Sequence, residues 1–176
     1  MSELDISDEL IVRNMYFVDK NRIMFFKKIP FENIHPVSAW PFILNNIKEK
    51  TSEKFIYSLG LKMGNSAAKD IYSAIKMNEK FIAPRLKSVF SLLPYMGLGK
   101  CSIENIEGKK ANFIVRDNLI IVDSKEKYGK DTTTCTFFKG FYQPFIEEEI
   151  GMKVNLKKNK CVCNGDEYCE WIITAK

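Results

Sequence analysis

The residues best able to do chemistry gather near the end of the 176-residue chain. Four of its five cysteines, Cys135, Cys161, Cys163 and Cys169, fall after residue 130. A role confined to core packing would scatter them. Cys161 and Cys163 are two apart, so on an extended strand both thiols point to one side. Asn164-Gly165 and Asp166 are residues that reverse a chain, which would bring Cys169 back beside them on a return strand. Cys135, at the start of a preceding helix, could supply a fourth sulfur from another element. Zn²⁺ takes four ligands in a tetrahedron and accepts thiolate readily, and its softness favours it here over magnesium or calcium. Iron–sulfur clusters also take four thiolates, but their usual spacings are absent. A Cys161–Cys163 disulfide would be strained by its short loop. Four thiolates around Zn²⁺ leave a net charge of −2, and Lys157, Lys158 and Lys160 adjoin the site. The spacing is not a standard zinc-finger pattern, so the residues alone leave metal binding and plain burial both open.

The remaining candidates are weaker. His35 is the single histidine; in a loop beside Pro36 it reads as exposed, and one histidine rules out a histidine-cluster metal site. Cys101 reads as a core residue at a strand start. Glu147, Glu148 and Glu149 read as a solvated acidic face. Phe90, Tyr95, Met96, Phe113 and Phe137 could line an apolar ligand pocket, although ordinary core packing is the more frequent fate of such residues.

Composition narrows the class. The length suits one domain, taken here as residues 1–176, with residues 1–50 as an N-terminal hairpin and loop and 51–176 as the core. That is long enough for a core without disulfides. The net charge of +5 is mild, its lysines are spread along the chain and there are four arginines. Nucleic-acid readers concentrate basic residues on one face, so no nucleic-acid partner is expected. No apolar run approaches the roughly 20 residues of a membrane span. The acidic start, Met1-Ser2-Glu3-Leu4-Asp5, lacks the order of a signal peptide. A cytoplasmic protein with reduced thiols is expected.

The elements follow from periodicity and turn residues. Leu10–Val18 and Arg22–Ile29 read as a hairpin around Asp19-Lys20-Asn21. Pro30, Pro36 and Pro41 punctuate a loop holding at most a short helical turn. From Ser52 to Met77, Phe55, Leu59, Met63, Ala67, Ile71 and Ile75 recur every four residues as a helical stripe. Beside it runs a row of small residues, Gly60, Gly64 and Ala68. Each glycine costs a helix about 1 kcal/mol relative to alanine, and close approach of a second helix would offset that. Pro84 suits the first turn of another helix, with Leu86, Val89, Phe90 and Leu93 inward and Pro94 at its end. Lys100–Ile106 and Ala111–Arg116 read as strands joined near Gly108, and Leu119–Val122 as a short extended or connecting piece. Thr136–Ile150 reads as a helix closed by Gly151. Lys153–Leu156 and Glu170–Thr174 are strand candidates flanking the cysteines. The fold class is α+β.

Taken together, Cys135, a helix with Gly140, then Cys161, Gly165-Asp166 and Cys169 followed by an aromatic residue resemble the 4-vinyl reductase domain family. That family is related to the ligand domains of phenol-sensing regulators and to TRAPP vesicle-tethering subunits. The Gly60/Gly64 helix and the Gly97-Leu98-Gly99 loop before a strand extend the likeness over most of the chain from about residue 50. The resemblance implies an antiparallel sheet packed with several helices, often dimeric. It implies zinc on Cys135, Cys161 and Cys169, with a carboxylate three residues before Cys161. Here the sequence departs, because Lys158 stands there, and a protonated lysine has no lone pair to give; Cys163 is the favoured replacement. The implied function is a zinc-stabilised homodimer holding a hydrophobic or aromatic small molecule as sensor or carrier. The alternatives are a subunit of a vinyl-reducing enzyme in tetrapyrrole metabolism and a dimeric scaffold protein.

Overall fold

A computed structural model describes residues 15–18, 23–26, 29–31, 39–77, 89–91, 93–94, 97–108, 110–130 and 133–176. His35, the turn at 19–21 and the first part of the helix expected from Pro84 lie outside the described residues.

Three short strands come first among the described residues: β1 (Met15–Val18), β2 (Ile23–Phe26) and β3 (Ile29–Phe31). They form an antiparallel sheet in that order, with Met15 opposite Phe26 and Phe26 opposite Ile29. The expected hairpin is present and gains a third strand. That strand carries Pro30 and lies at the sheet's edge, where a residue without an amide hydrogen is tolerated. Helix α1 (Ala39–Lys48) follows. The sequence reading placed no more than a helical turn here. Pro41 falls in the first turn of α1, where its missing amide hydrogen costs nothing, and Leu44 is buried.

Helix α2 (Glu53–Met77) matches the expected span. Its buried face differs from the expected one. Phe55 is exposed, whereas Ile56, Ala68 and Ile71 are buried and Leu59, Met63 and Ala67 flank them. The small-residue row takes the centre because helix α4 (Thr133–Ile150) lies against it almost backbone to backbone. A Cβ added at Gly60 would stand 2.0 Å from the Phe137 carbonyl oxygen, one at Gly64 2.2 Å from that of Phe141, and one at Gly140 2.2 Å from that of Tyr57. Such approach lets polarised Cα–H groups face carbonyls across the interface.

The main sheet has four antiparallel strands in the order β4 (Lys100–Glu107), β5 (Lys110–Arg116), β7 (Cys169–Ala175), β6 (Val154–Lys160). Along β5, Ala111, Phe113 and Val115 face the core and oppose Ile173, Trp171 and Cys169 of β7. Helix α4 packs on this face: Phe113 meets Tyr142 at 5.4 Å between ring centroids, and Trp171 meets Tyr142 at 6.2 Å. With the sheet on one side and α2 on the other, α4 is buried nearly all round, which is why its sequence shows no polar face.

Residues Leu119–Val122, expected as a short extended or connecting piece, begin helix α3 (Leu119–Tyr128). The deciding residue is Asn118. Its Oδ1 accepts from the amides of Ile120 and Ile121 as an N-cap, at 3.0 and 3.1 Å. Its Nδ2 donates to the Leu98 carbonyl at 3.1 Å and to the Tyr142 hydroxyl at 2.7 Å. Tyr142 in turn donates to the Leu98 carbonyl. A buried asparagine with all four positions used ties the loop before β4, α3 and α4 together.

Glu147, expected on a solvated face, is buried instead and joins α4 to β6. It accepts from Gln143 at 2.9 Å, from the Val154 amide at 3.3 Å and from Lys153 at 2.6 Å. Burial alone would raise its carboxyl pKa, but these donors outweigh it and hold the group below its ordinary value. A carboxylate depressed in this way stabilises the fold above its unfolded pKa, and the contribution fades as pH falls through the folded value. Glu147→Gln should therefore lower stability at pH 7 by about 1–3 kcal/mol and flatten the loss of stability between about pH 5 and pH 3, read by denaturant melts across pH.

Gly64→Ala tests the helix contact. Helix propensity alone predicts a gain of about 1 kcal/mol. The collision with a backbone carbonyl predicts a loss beyond the ~1–3 kcal/mol of ordinary overpacking. Denaturant melts should show that loss, while Ser66→Ala on the exposed face of α2 should stay within about 0.5 kcal/mol.

Candidate metal centre

Cys135 stands in the first turn of α4, where unpaired amides and the helix dipole favour negative charge. Cys161, Cys163 and Cys169 come from the segment linking β6 to β7. All four side chains are 0–2% exposed. The Cys135 sulfur lies 3.0 Å from Cys161, 3.5 Å from Cys163 and 3.9 Å from Cys169. Those of Cys135, Cys161 and Cys163 all fall within 4.8 Å of one another. These are contacts between free thiols, far beyond the roughly 2.05 Å of a disulfide. A tetrahedral site with metal–sulfur bonds of about 2.3 Å has sulfur–sulfur edges of about 3.8 Å. The buried cluster of Cys135, Cys161 and Cys163 could hold a metal ion, and thiolate donors suit a soft cation.

The segment reaches this arrangement by a different route from the expected one. Strand β6 stops at Lys160, and Cys163 sits in a 3-10 turn, Val162–Asn164. The pair is therefore not a same-side couple on one strand. Cys161 is extended, its carbonyl accepts from the amides of Asn164 at 2.8 Å and Asp166 at 3.3 Å, and Gly165 closes the turn at φ 105°. The Asp166 carboxylate then accepts from the Cys161 amide at 2.8 Å. This folds Cys163 back toward Cys161. The Val162 amide donates to the Cys169 sulfur at 3.4 Å, and the Cys163 amide donates to Cys161. Amides aimed at sulfur stabilise thiolate.

The thiols are strongly inequivalent. Bonds with Cys135, Cys163 and Cys169 pull the Cys161 thiol well below its ordinary value, whereas bonds with Cys161, Cys163 and Cys169, together with burial, push Cys135 well above it. The bond with Cys135 pulls Cys169 down, but its bond with Cys161 and burial prevail, and it is pushed up to about 12.

Of the flanking lysines, Lys157 and Lys158 are exposed, so the position where the resemblance implies a carboxylate points a cation into solvent. Lys160 is half-buried, bonded to the Tyr168 hydroxyl at 2.5 Å, and its Nζ lies 4.4 Å from the centre of that ring, with Arg116 4.6 Å from the same ring.

The expected pocket residues do not converge in this way. Phe90 is buried in a 3-10 turn, Val89–Ser91, and lines an open cleft. Phe113 is packed between Phe90, Tyr142 and Trp171, and Phe137 lies against Trp40, Phe138 and Phe141. Tyr95 and Met96 lie outside the described residues. Cys101 is half-buried; burial pushes its thiol well above the ordinary value, and it donates to the Gly99 carbonyl at 3.6 Å. Sequence reasoning took Asp166 only as a turn former and missed its bond to Cys161. An acidic residue five positions after a cysteine carries no distinctive signal until the turn is seen.

Comparison with solved structures places this architecture. The phenol-responsive sensory domain of the transcription activator PoxR, crystallised with phenol, superposes over 99% of this chain and 91% of its own, with a TM-score of 0.69 and 11% identity. A vinyl-4-reductase family protein from Methanocaldococcus jannaschii superposes over 82% of this chain and 84% of its own, with a TM-score of 0.52 and 14% identity. A trafficking protein particle complex subunit 3 from Naegleria fowleri, covalently bound to palmitic acid, covers 80% of this chain and 92% of its own, with a TM-score of 0.52 and 12% identity. The chain has the fold of these proteins. Its α+β architecture, with a four-stranded antiparallel sheet packed by helices, is the one the resemblance implied. In sequence, an uncharacterised protein of M. jannaschii is 24% identical over 121 residues, spanning 69% of this chain and 64% of that relative's length. No family model matches the sequence.

The turn offers a test that leaves every thiol in place. Asp166→Ala should weaken metal retention by the 10–100-fold typical of losing an outer-shell partner. Competition with a chelator of known affinity measures it, and the melting curve of chelated protein should move little.

Proposed function

We propose that this chain is a zinc-stabilised domain that holds a hydrophobic or aromatic small molecule, as a sensor or carrier. The observation that carries the metal half is the meeting of four buried sulfurs from α4 and from the segment around residues 161–169. Buried thiols crowded at these distances have few hydrogen-bond partners other than one another, and a divalent soft cation is the group that makes four thiolates attract a common centre. Cys135, Cys161 and Cys169 would hold the ion with Cys163 in the fourth place, since Lys158 cannot serve. Thiolate in all four positions suits a structural ion that pins the chain's last hairpin to α4.

The ligand half rests on the fold shared with a phenol-responsive sensory domain, and fold alone does not fix function. The chain's own support is an aromatic core that opens onto a cleft at Phe90. The second reading, a subunit of a vinyl-reducing enzyme, draws on the likeness to the vinyl-4-reductase family protein. Among the described residues no helix is long and apolar enough to cross a membrane. A homodimer fits the exposed apolar side chains of Phe42 and Ile43 on α1 and of Leu119 and Val122 on α3.

Native mass spectrometry of reduced protein, purified without added ligand, tests the reading. One zinc per chain and a dimer mass are expected, with a small organic adduct in part of the population. Less than a tenth of an equivalent of metal by elemental analysis would overturn the metal half. Cys163→Ser should weaken zinc binding more than the 10–100-fold of an outer-shell change, whereas Lys158→Ala should leave it unchanged.

A further inference from the structure

At the end of α4 opposite the cysteines, a cleft of about 460 Å³ opens beside β4. Strand β4 is an edge of the sheet, so nothing in the sheet continues past it. Its register with β5 is broken between Glu104 and Glu107, with Asn105 at φ 52°. The broken register lets Ile106 depart from the strand's alternation; it is 74% exposed and stands on the cleft wall. Phe90, Cys101, Ile103 and Ile150 complete an apolar lining.

The volume falls in the ~300–1,000 Å³ range of small-molecule sites. At the rim Lys100 pairs with Asp117 at 3.1 Å, and Glu149, which keeps its negative charge, accepts from the Tyr72 hydroxyl at 3.0 Å. Inside, the Cys101 thiol is turned to the Gly99 carbonyl, and its burial keeps it protonated. A carboxylate in this cleft would meet no unpaired cation among the described lining residues and would be repelled by the Glu149 charge. An uncharged molecule leaves every one of these pairs intact.

The geometry points to this cleft as the ligand site, and to its occupant as a neutral apolar molecule of one or two rings, held by Phe90, Ile103, Ile106 and Ile150 over Cys101. The inference deepens the ligand half of the function proposed above and rests on it. It moves the site from the packed rings of Phe113 and Phe137 to the edge of the sheet, with Phe90 common to both.

The test uses the full, metal-loaded chain with phenol and indole as neutral probes and decanoate as an anionic one. Calorimetry should show a neutral probe binding at least tenfold more tightly than decanoate. Ile106→Asp, an exposed position whose change should leave metal content intact, should weaken that binding at least tenfold. If a neutral probe binds wild type and Ile106→Asp alike, the ligand lies elsewhere: this inference fails and the broader reading stands. Decanoate binding as tightly as the neutral probes would overturn the argument from charge. Failure of both neutral probes to bind would overturn the site and count against the ligand reading itself.

Discussion

Three glycines set how near α2 and α4 lie, and much else follows from that distance. Gly60, Gly64 and Gly140 occupy places where a single added carbon would overlap a backbone carbonyl. Each sacrifices helix propensity, since glycine has the most backbone entropy to lose. In return α4 is gripped between α2 and the sheet over nearly its whole length. A helix held this closely cannot slide or roll without collision, because packed interiors yield little. The position of Cys135 in its first turn and the aromatic row from Phe137 to Phe145 are therefore fixed before any metal or ligand is considered. Pro144 is tolerated for the same reason. It removes the helical donor from the Gly140 carbonyl and would weaken a less supported helix.

The cysteine turn shows a second constraint, that of gathering sulfur without gathering charge. Four thiolates in a dry site repel one another, and without a cation burial disfavours their ionised forms. The four thiols bond to one another instead, and Cys135 contacts all three of the others. Amide hydrogens from Val162 and Cys163 then supply partial positive charge without adding a side chain. The neighbouring lysines contribute less than their position in the sequence implies, because Lys157 and Lys158 face solvent and Lys160 is engaged with Tyr168.

What was legible from residues alone is what depends on local pattern. The span of α2, the pairing of β4 with β5, the hairpin of β6 with β7 and the Gly151 stop, at φ 68°, all follow from periodicity and turn residues. Helix α3 was not legible because Asn118 caps it while held by Leu98 and Tyr142, partners 20 and 24 residues away. The buried role of Glu147 was hidden in a run of three glutamates whose other two members are exposed. The four cysteines could be chosen by type and spacing. The 3-10 turn that folds Cys163 back could not, since it rests on Asp166 and on Gly165 at positive φ. The stripe of α2 was read on the wrong residues at one end, Phe55 in place of Ile56, because the partner is a helix backbone and small residues mark its path.

The place of the cysteines relative to the cleft bears on what a bound metal would do. Cys135 lies in the first turn of α4 and Ile150 at its end; fifteen residues at 1.5 Å rise separate them by about 22 Å along the helix. A cation among the four sulfurs is out of reach of a molecule resting on Ile150. Four thiolates would also leave no open coordination position, whereas catalytic zinc keeps one for water or substrate. On the reading proposed above, such an ion would serve to close the chain. It would join residue 135 to residues 161–169 across a segment of about 26 to 34 positions, and a clip of that length removes substantial loop entropy from the unfolded chain. That closure also fixes β7, whose Cys169 and Trp171 share one face. Through Trp171 and Phe113 the face continues to Phe90 at the cleft. The metal would then act on a ligand only by holding firm the wall against which the ligand packs.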